Sequence, residues 1–237
     1  MTPRPAPVSR RDRPAKRALT REGIVAVAVE VLRAEGVERV TMRRLAQELD
    51  TGPASLYVYV RDTAELHAAV LDELLAGVDP AAPDDPDDPA GDWHERLWNL
   101  LRSYVDVLIG HPVLARVALT TRPHGPHYLA LVEAVLARLD EGGVPPDRAA
   151  WAVDVLLLVA TATAVEQGTR RRDPAAPAED DALAVALRAT TPAEHPHIAG
   201  LAEDLLSGPG PARIRWFVDV LLRGALSTPR PDHQERP

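Results

Sequence analysis

Apolar residues recur along most of the chain at the three- and four-residue spacing of one helix face, and nowhere in the sustained alternation that a half-buried strand requires. After Thr20, a suitable N-cap, Ile24, Val27, Ala28, Val31 and Leu32 fall at i, i+3, i+4, i+7 and i+8, and Gly36 closes the run. Thr41 can cap a second, short helix with Met42, Leu45, Ala46 and Leu49 inward, and Asp50-Thr51-Gly52 turns the chain. Pro53 suits the first position of a third helix, where its missing N–H costs nothing, and that helix can run to about Val60. Asp62 and Glu65 have the spacing of a capping box ahead of Leu66, Ala69, Val70 and Leu74. Beyond a Pro- and Asp-rich stretch, GVDPAAPDDPDDPAGD, helical patterns cover 92–110, 113–121, 126–141, 146–171, 180–189, 194–206 and 211–226. The expected fold class is all-α, with four helices in a first domain at 18–77 and a larger helical domain at 92–228. Residues 1–17 and 229–237 read as disordered ends.

Composition sharpens the picture in three places. Ala, Leu and Val dominate the apolar residues while aromatics make up only 4%, a mix that favours helices. With no cysteine, the chain has no disulfide, thiolate-metal or thiol-redox chemistry. The basic, Pro-rich amino terminus lacks the apolar run of a secretory signal, so a cytoplasmic protein is expected. The longest apolar stretch, Val155 to Val165, is about half of what a bilayer demands, and reads as a core helix, not a membrane partner.

The net charge of −8 conceals a division: residues 1–61 carry 12 Lys and Arg against 7 Asp and Glu, or +5, which leaves −13 for the rest. A basic end on an acidic body points to a polyanion met by the first segment alone. Two short helices joined by a three-residue turn form the geometry that seats the second helix in the major groove of DNA. Leu56 faces the core in that reading, which leaves Pro53, Ala54, Ser55, Tyr57, Val58 and Tyr59 near DNA, with Thr51 in the turn before them. Small residues allow close approach, hydroxyls suit phosphates, and an apolar group suits a thymine methyl. Arg43 is in position to reach a guanine edge; Thr41, Arg44, Arg61, Thr63 and the basic arm are candidates for phosphates.

The run VTMRRLAQELDTGPASLYVYVRDTAEL resembles the helix-turn-helix of the Tet repressor family, whose hallmark is a Leu-Tyr pair in the recognition helix, here Leu56-Tyr57. It departs from the family pattern at Asp50, where a turn glycine is usual, and at Thr63, where a lysine is common. The segments at Arg116–Pro123 and Ala164–Gln167 and the run RWFVDVLLRGAL are similar to stretches of the subgroup with a tetracycline-repressor-like ligand domain. The resemblance implies a homodimer paired through helices 146–171 and 211–226, binding operator DNA and released by a small-molecule inducer. The polar tetracycline contacts do not carry over: Ala118, Leu100, Ala134 and Asp79 stand in their places, which implies a hydrophobic inducer.

Thr121, Arg122 and Glu166 match the subgroup's pattern. Trp98, Tyr104, Thr120, His127, Tyr128, Trp151 and Thr161 join them as candidate pocket residues because polar or aromatic groups on apolar faces are what ligand cavities use. His124 and His127, flanked by Pro123 and Pro126, read as a turn and a helix start, so no metal or cofactor is expected. No phosphate-cradling glycine loop or nucleophile elbow occurs, so an enzyme is not expected. Two function classes stay open: a ligand-released repressor, and a DNA-binding interaction protein with no ligand. An internal cavity lined by these residues favours the first.

Overall fold

The computed structural model describes residues 19–78, 92–121 and 123–231; the basic arm, Asp79, Arg122 and most of the carboxy-terminal tail lie outside them. Among the described residues the secondary structure is helical throughout, with no strand. The chain divides into two compact units, residues 1–66 and 67–237, and the division falls inside a helix instead of in the Pro- and Asp-rich stretch.

The first unit holds α1 (Arg21–Glu35), a single 3-10 turn (Val37–Arg39), α2 (Met42–Glu48), α3 (Pro53–Leu56) and the start of α4 (Thr63–Leu75). Each start is specified locally. Thr20 Oγ1 accepts the Gly23 N–H at 3.0 Å, Thr41 Oγ1 accepts that of Arg44 at 3.2 Å, and Asp62 Oδ1 accepts that of Glu65 at 2.8 Å. Glu65 completes the α4 cap by accepting the Arg61 N–H at 2.9 Å. Ile24, Ala28, Val40, Leu45, Leu56, Val60 and Leu66 meet in a core from which water is excluded, each apolar side chain of this size contributing roughly 1.5–3 kcal/mol on burial. The buried face of α1 is broader than the expected stripe: Val25 and Val29 are buried while Val27 is only partly so.

The turn between α2 and α3 is a Schellman motif: the Thr51 N–H reaches the Ala46 carbonyl at 2.8 Å and the Asp50 N–H that of Gln47 at 3.3 Å. Such a motif needs a left-handed residue, and Asp50 supplies it with φ of 46°. Asp adopts this conformation more readily than most residues, which is why the missing glycine is tolerated.

The second unit contains the rest of α4, α5 (Trp93–Gly110), α6 (Pro112–Thr120), α7 (Pro126–Glu141), α8 (Pro146–Arg170), α9 (Ala176–Arg188), α10 (Pro196–Leu206) and α11 (Gly210–Ser227). Proline is the first residue of α6, α7, α8 and α10, where its fixed φ favours a helix start. Helix α8 is the centre of the unit and packs on α5, α6, α7 and α11. It is 25 residues long, and by length and composition apolar enough to cross a membrane. Its buried Ala149, Val153, Leu156, Leu157, Ala160, Thr161, Ala164 and Gly168 are those of a core helix. Gly168 lets it approach the α5–α6 corner: a Cβ there lies 3.1 Å from the Ile109 carbonyl oxygen.

One buried carboxylate ties α4 to α7. Asp72 accepts the backbone N–H of Tyr128 at 2.9 Å and that of His127 at 3.4 Å, and lies 3.2 Å from His127 Nδ1. It supplies from a distant helix the cap that Gly125, at the N-cap position, cannot.

Candidate nucleic-acid interface and ligand cavity

The corner formed by α2 and α3 presents an unusual surface. Leu56 is fully buried, while the three residues after it are exposed, Tyr57 at 52%, Val58 at 79% and Tyr59 at 38%. Helix α3 is shorter than expected. It ends at Leu56, and Tyr57–Tyr59 form an irregular last turn held by the Tyr59 and Val60 N–H groups on the Leu56 carbonyl, at 2.9 and 3.0 Å. Pro53, Ala54 and Ser55 are exposed on the same element, with Thr51 half-buried before it. Arg43 and Thr63 are exposed. Arg61 has a side chain 82% exposed, 3.6 Å from Asp62 and 3.9 Å from Glu65, loose surface pairs that cost little to exchange for a phosphate.

Arg44 has a different role from the phosphate contact its sequence position suggests. Its guanidinium binds Glu35 and Glu48, each at 2.6 Å, and so clasps α1 to α2. Hydrogen bonds from Arg44 and then Arg39 hold the Glu35 carboxyl below the usual carboxylate range.

In the second unit, α5, α6, α7 and α8 and the turn before α7 border an open-sided cavity of about 280 Å³ lined by Tyr104, Ala118, Leu119, Thr121, Pro123, Tyr128, Asp154, Leu157, Leu158 and Thr161. Tyr104, Thr121, Tyr128 and Thr161 are thus gathered from four separate stretches of sequence. Tyr104 and Thr161 share a buried 2.8 Å hydrogen bond, and Thr161 donates to the Leu157 carbonyl at 2.7 Å. Burial pushes the Tyr104 phenol up to about 12.

The other candidates lie elsewhere. Trp98 lines a groove among α5, α8 and α11; Trp151 lines another beside the end of α11, with the Arg230 guanidinium 4.6 Å from its ring centroid. Thr120 is exposed and bonds back to the carbonyls of Arg116 and Val117, His127 is held by Asp72, and Glu166 is exposed on α8. Arg122 is outside the described residues. Sequence reasoning missed Asp154, Leu157 and Leu158. Asp154, Leu158 and Thr161 follow one another at i, i+4 and i+7, so choosing Thr161 already implied its neighbours on that face.

A helical corner with its second element bared, on a chain whose larger helical unit holds a cavity, defines the class of one-component DNA-binding regulators. Residues 24–70 match the profile of bacterial regulatory proteins of the tetR family, and residues 85–208 that of the tetracyclin repressor-like C-terminal domain. A Streptomyces protein solved as a transcription regulator is 51% identical, with a TM-score of 0.76 over 93% of this chain and 99% of its own. ActR of Streptomyces coelicolor, solved in complex with actinorhodin, is 33% identical with a TM-score of 0.74 over 89% of this chain and 97% of its own. An HTH-type transcriptional regulator of Saccharopolyspora erythraea is 32% identical over 78% of this chain and 75% of its own. The repressor DrrR1 of Streptomyces coeruleorubidus is 34% identical over 54% of this chain, a match that spans under half of DrrR1. The chain belongs to the tetR family, a family of transcriptional regulators and not of enzymes.

Proposed function

We propose that this chain is a cytoplasmic repressor that binds a palindromic operator as a homodimer and is released from it when a small molecule enters the cavity of its second unit. The observation that carries the reading is the bared Tyr57, Val58 and Tyr59 beside a fully buried Leu56, an arrangement that core packing does not account for. In this role α3 and its last turn face base edges, joined by Arg43, while Arg61, Thr41, Thr63, Thr51 and Ser55 contact phosphates. Arg44 is left out, since binding a phosphate means giving up two carboxylates. The second copy covers exposed apolar groups of α8 and α11, among them Trp151, Val155, Trp216, Phe217 and Val220, a larger bared surface than a lone soluble chain tolerates.

A relative bound to actinorhodin and a cavity in the matching domain support ligand release over a ligand-free interaction protein. The hydrophobic inducer expected from the sequence would meet polar groups as well. Ala118, Leu119, Pro123, Leu157 and Leu158 alternate with a carboxylate and four hydroxyls, so the guest is amphipathic, an apolar body with polar groups. The test is selection of a duplex from a random pool by the wild-type protein, followed by fluorescence anisotropy with Tyr57→Ala and Val58→Ala. Loss of preference for the selected duplex over random DNA, with thermal stability unchanged, is the expected result. Full preference retained in both variants overturns the assignment of α3.

A further inference from the structure

Resting on that reading of the cavity as the ligand site, we infer that it recognises hydrogen-bond donors on its guest: phenolic hydroxyls or a protonated amine, and not carboxylates or ethers. The inference comes from following the hydroxyl protons of Thr161, Tyr104 and Thr121. A threonine hydroxyl has one proton, and that of Thr161 goes to the Leu157 carbonyl at 2.7 Å. The 2.8 Å bond between Tyr104 and Thr161 therefore has Tyr104 as donor, which leaves the phenolic oxygen with lone pairs only. The Thr121 proton is likewise committed, to the Val117 carbonyl at 2.8 Å. Asp154, the carboxyl on the lining, can only accept when ionised, and among the described residues it forms no ion pair.

Tyr104, Thr161, Thr121 and Asp154 thus present acceptors on a lining whose remaining polar side chain is Tyr128. A guest with donors satisfies them. One that offers only acceptors meets lone pairs at these four groups, and a carboxylate adds repulsion from Asp154. Sites that hydrogen-bond a ligand discriminate sharply against analogues that lack the matching group.

The experiment measures binding of four naphthalene probes to the full-length protein by calorimetry: 2,7-dihydroxynaphthalene, its dimethyl ether, 2-naphthoate and 2-(aminomethyl)naphthalene. The diol and the amine are expected to bind at least tenfold more tightly than the ether and the carboxylate. Asp154→Ala, a change at an exposed side chain that leaves the fold intact, shrinks the amine's advantage most, and Ala118→Trp, which fills the cavity, abolishes binding of all four. Equal affinity for all probes, or preference for the ether or carboxylate, overturns the donor rule while leaving the cavity as the ligand site. Binding unaffected by Ala118→Trp, or no binding by any probe, overturns the cavity reading and the donor rule with it.

Discussion

Asp72 and Gly125 make a pair whose stability effects cannot be independent. The Asp72 carboxylate is buried and accepts the N–H groups of His127 and Tyr128 at the start of α7. Asp72→Ala removes a cap and strands two part-buried donors, for a cost of about 2 kcal/mol; at 2–4 °C per kcal/mol for a chain of this size, Tm falls by about 4–8 °C. Gly125 has ordinary angles, φ −74° and ψ 167°, so alanine meets no backbone strain. Its Cβ nevertheless lies 2.1 Å from the Asp72 carboxyl carbon, and Gly125→Ala therefore expels the carboxylate and costs about as much as Asp72→Ala. With Asp72 already truncated, the carboxylate atoms that the added methyl would strike first are gone. Its reduction of unfolded-chain entropy then offsets the weaker capping of alanine, and the second substitution is close to neutral. A double-mutant cycle by urea unfolding should show the pair losing about 2 kcal/mol in total, a coupling of about 2 kcal/mol. Additive losses, near 4 kcal/mol in the double variant, refute the claim that this carboxylate is the cap and that glycine is there to make room for it.

Arg43→Ala should weaken preference for the selected duplex with Tm unchanged, whereas Arg44→Ala should lower the stability of the first unit in thermal melts. Because Glu35 titrates low in the fold, the stabilisation from Arg44 is fully present above the ordinary glutamate range and is lost as pH falls below it and through the lowered folded-state value, so wild type and Arg44→Ala should converge in acid. Asp50→Gly relieves the one left-handed non-glycine residue among those described and should stabilise the chain by about 0.5–1 kcal/mol in urea unfolding. Tyr104 titrates at about 12 in the folded state and about 10 when free. Its contribution is complete below pH 10 and declines between pH 10 and 12, by up to about 1.4 kcal/mol per pH unit, and Tyr104→Phe should remove that part of the alkaline slope of the urea midpoint.

The helices were legible because their ends are written in single residues. Thr20, Thr41 and Asp62 cap, Pro53, Pro126 and Pro146 begin helices where expected, and Pro112 begins one a residue ahead of the expected 113. The start of α9 was placed at 180 and lies at Ala176, since Ala-Pro-Ala carries no side-chain cap to announce it. The cavity was legible only in part. Residue type shows that Trp98 and Trp151 are partly apolar but not which neighbour each faces, and both line grooves outside the cavity. Asp154 was passed over because an acid on a helix reads as solvent-facing; it becomes part of the lining only when α6 and α7 close over α8. The Arg44 clasp was not foreseen for the reverse reason: its partner Glu35 is nine positions away on another helix, beyond the reach of local spacing rules.

The apolar character of α8, which by composition suits a membrane span, follows from the surfaces it has to cover. A helix on the edge of a helical unit needs one apolar stripe and shows a clear amphipathic pattern. Helix α8 buries Val153, Leu156, Ala160 and Ala164 in the core, and turns Asp154, Leu157, Leu158 and Thr161 to the cavity wall. It leaves Trp151 and Val155 exposed beside α11, whose own Trp216, Phe217 and Val220 are also bare. Three apolar or mixed surfaces on one cylinder erase the polar face that would mark it as a surface helix. The polar residues on its cavity face are then informative: Asp154 and Thr161 sit where the proposed guest would touch the helix, and the bare apolar groups where a second copy would. In the repressor proposed here, a ligand pressing on Leu157 and Leu158 acts on the same helix that carries part of the proposed dimer contact, so binding and subunit geometry are coupled through one helix without any separate relay.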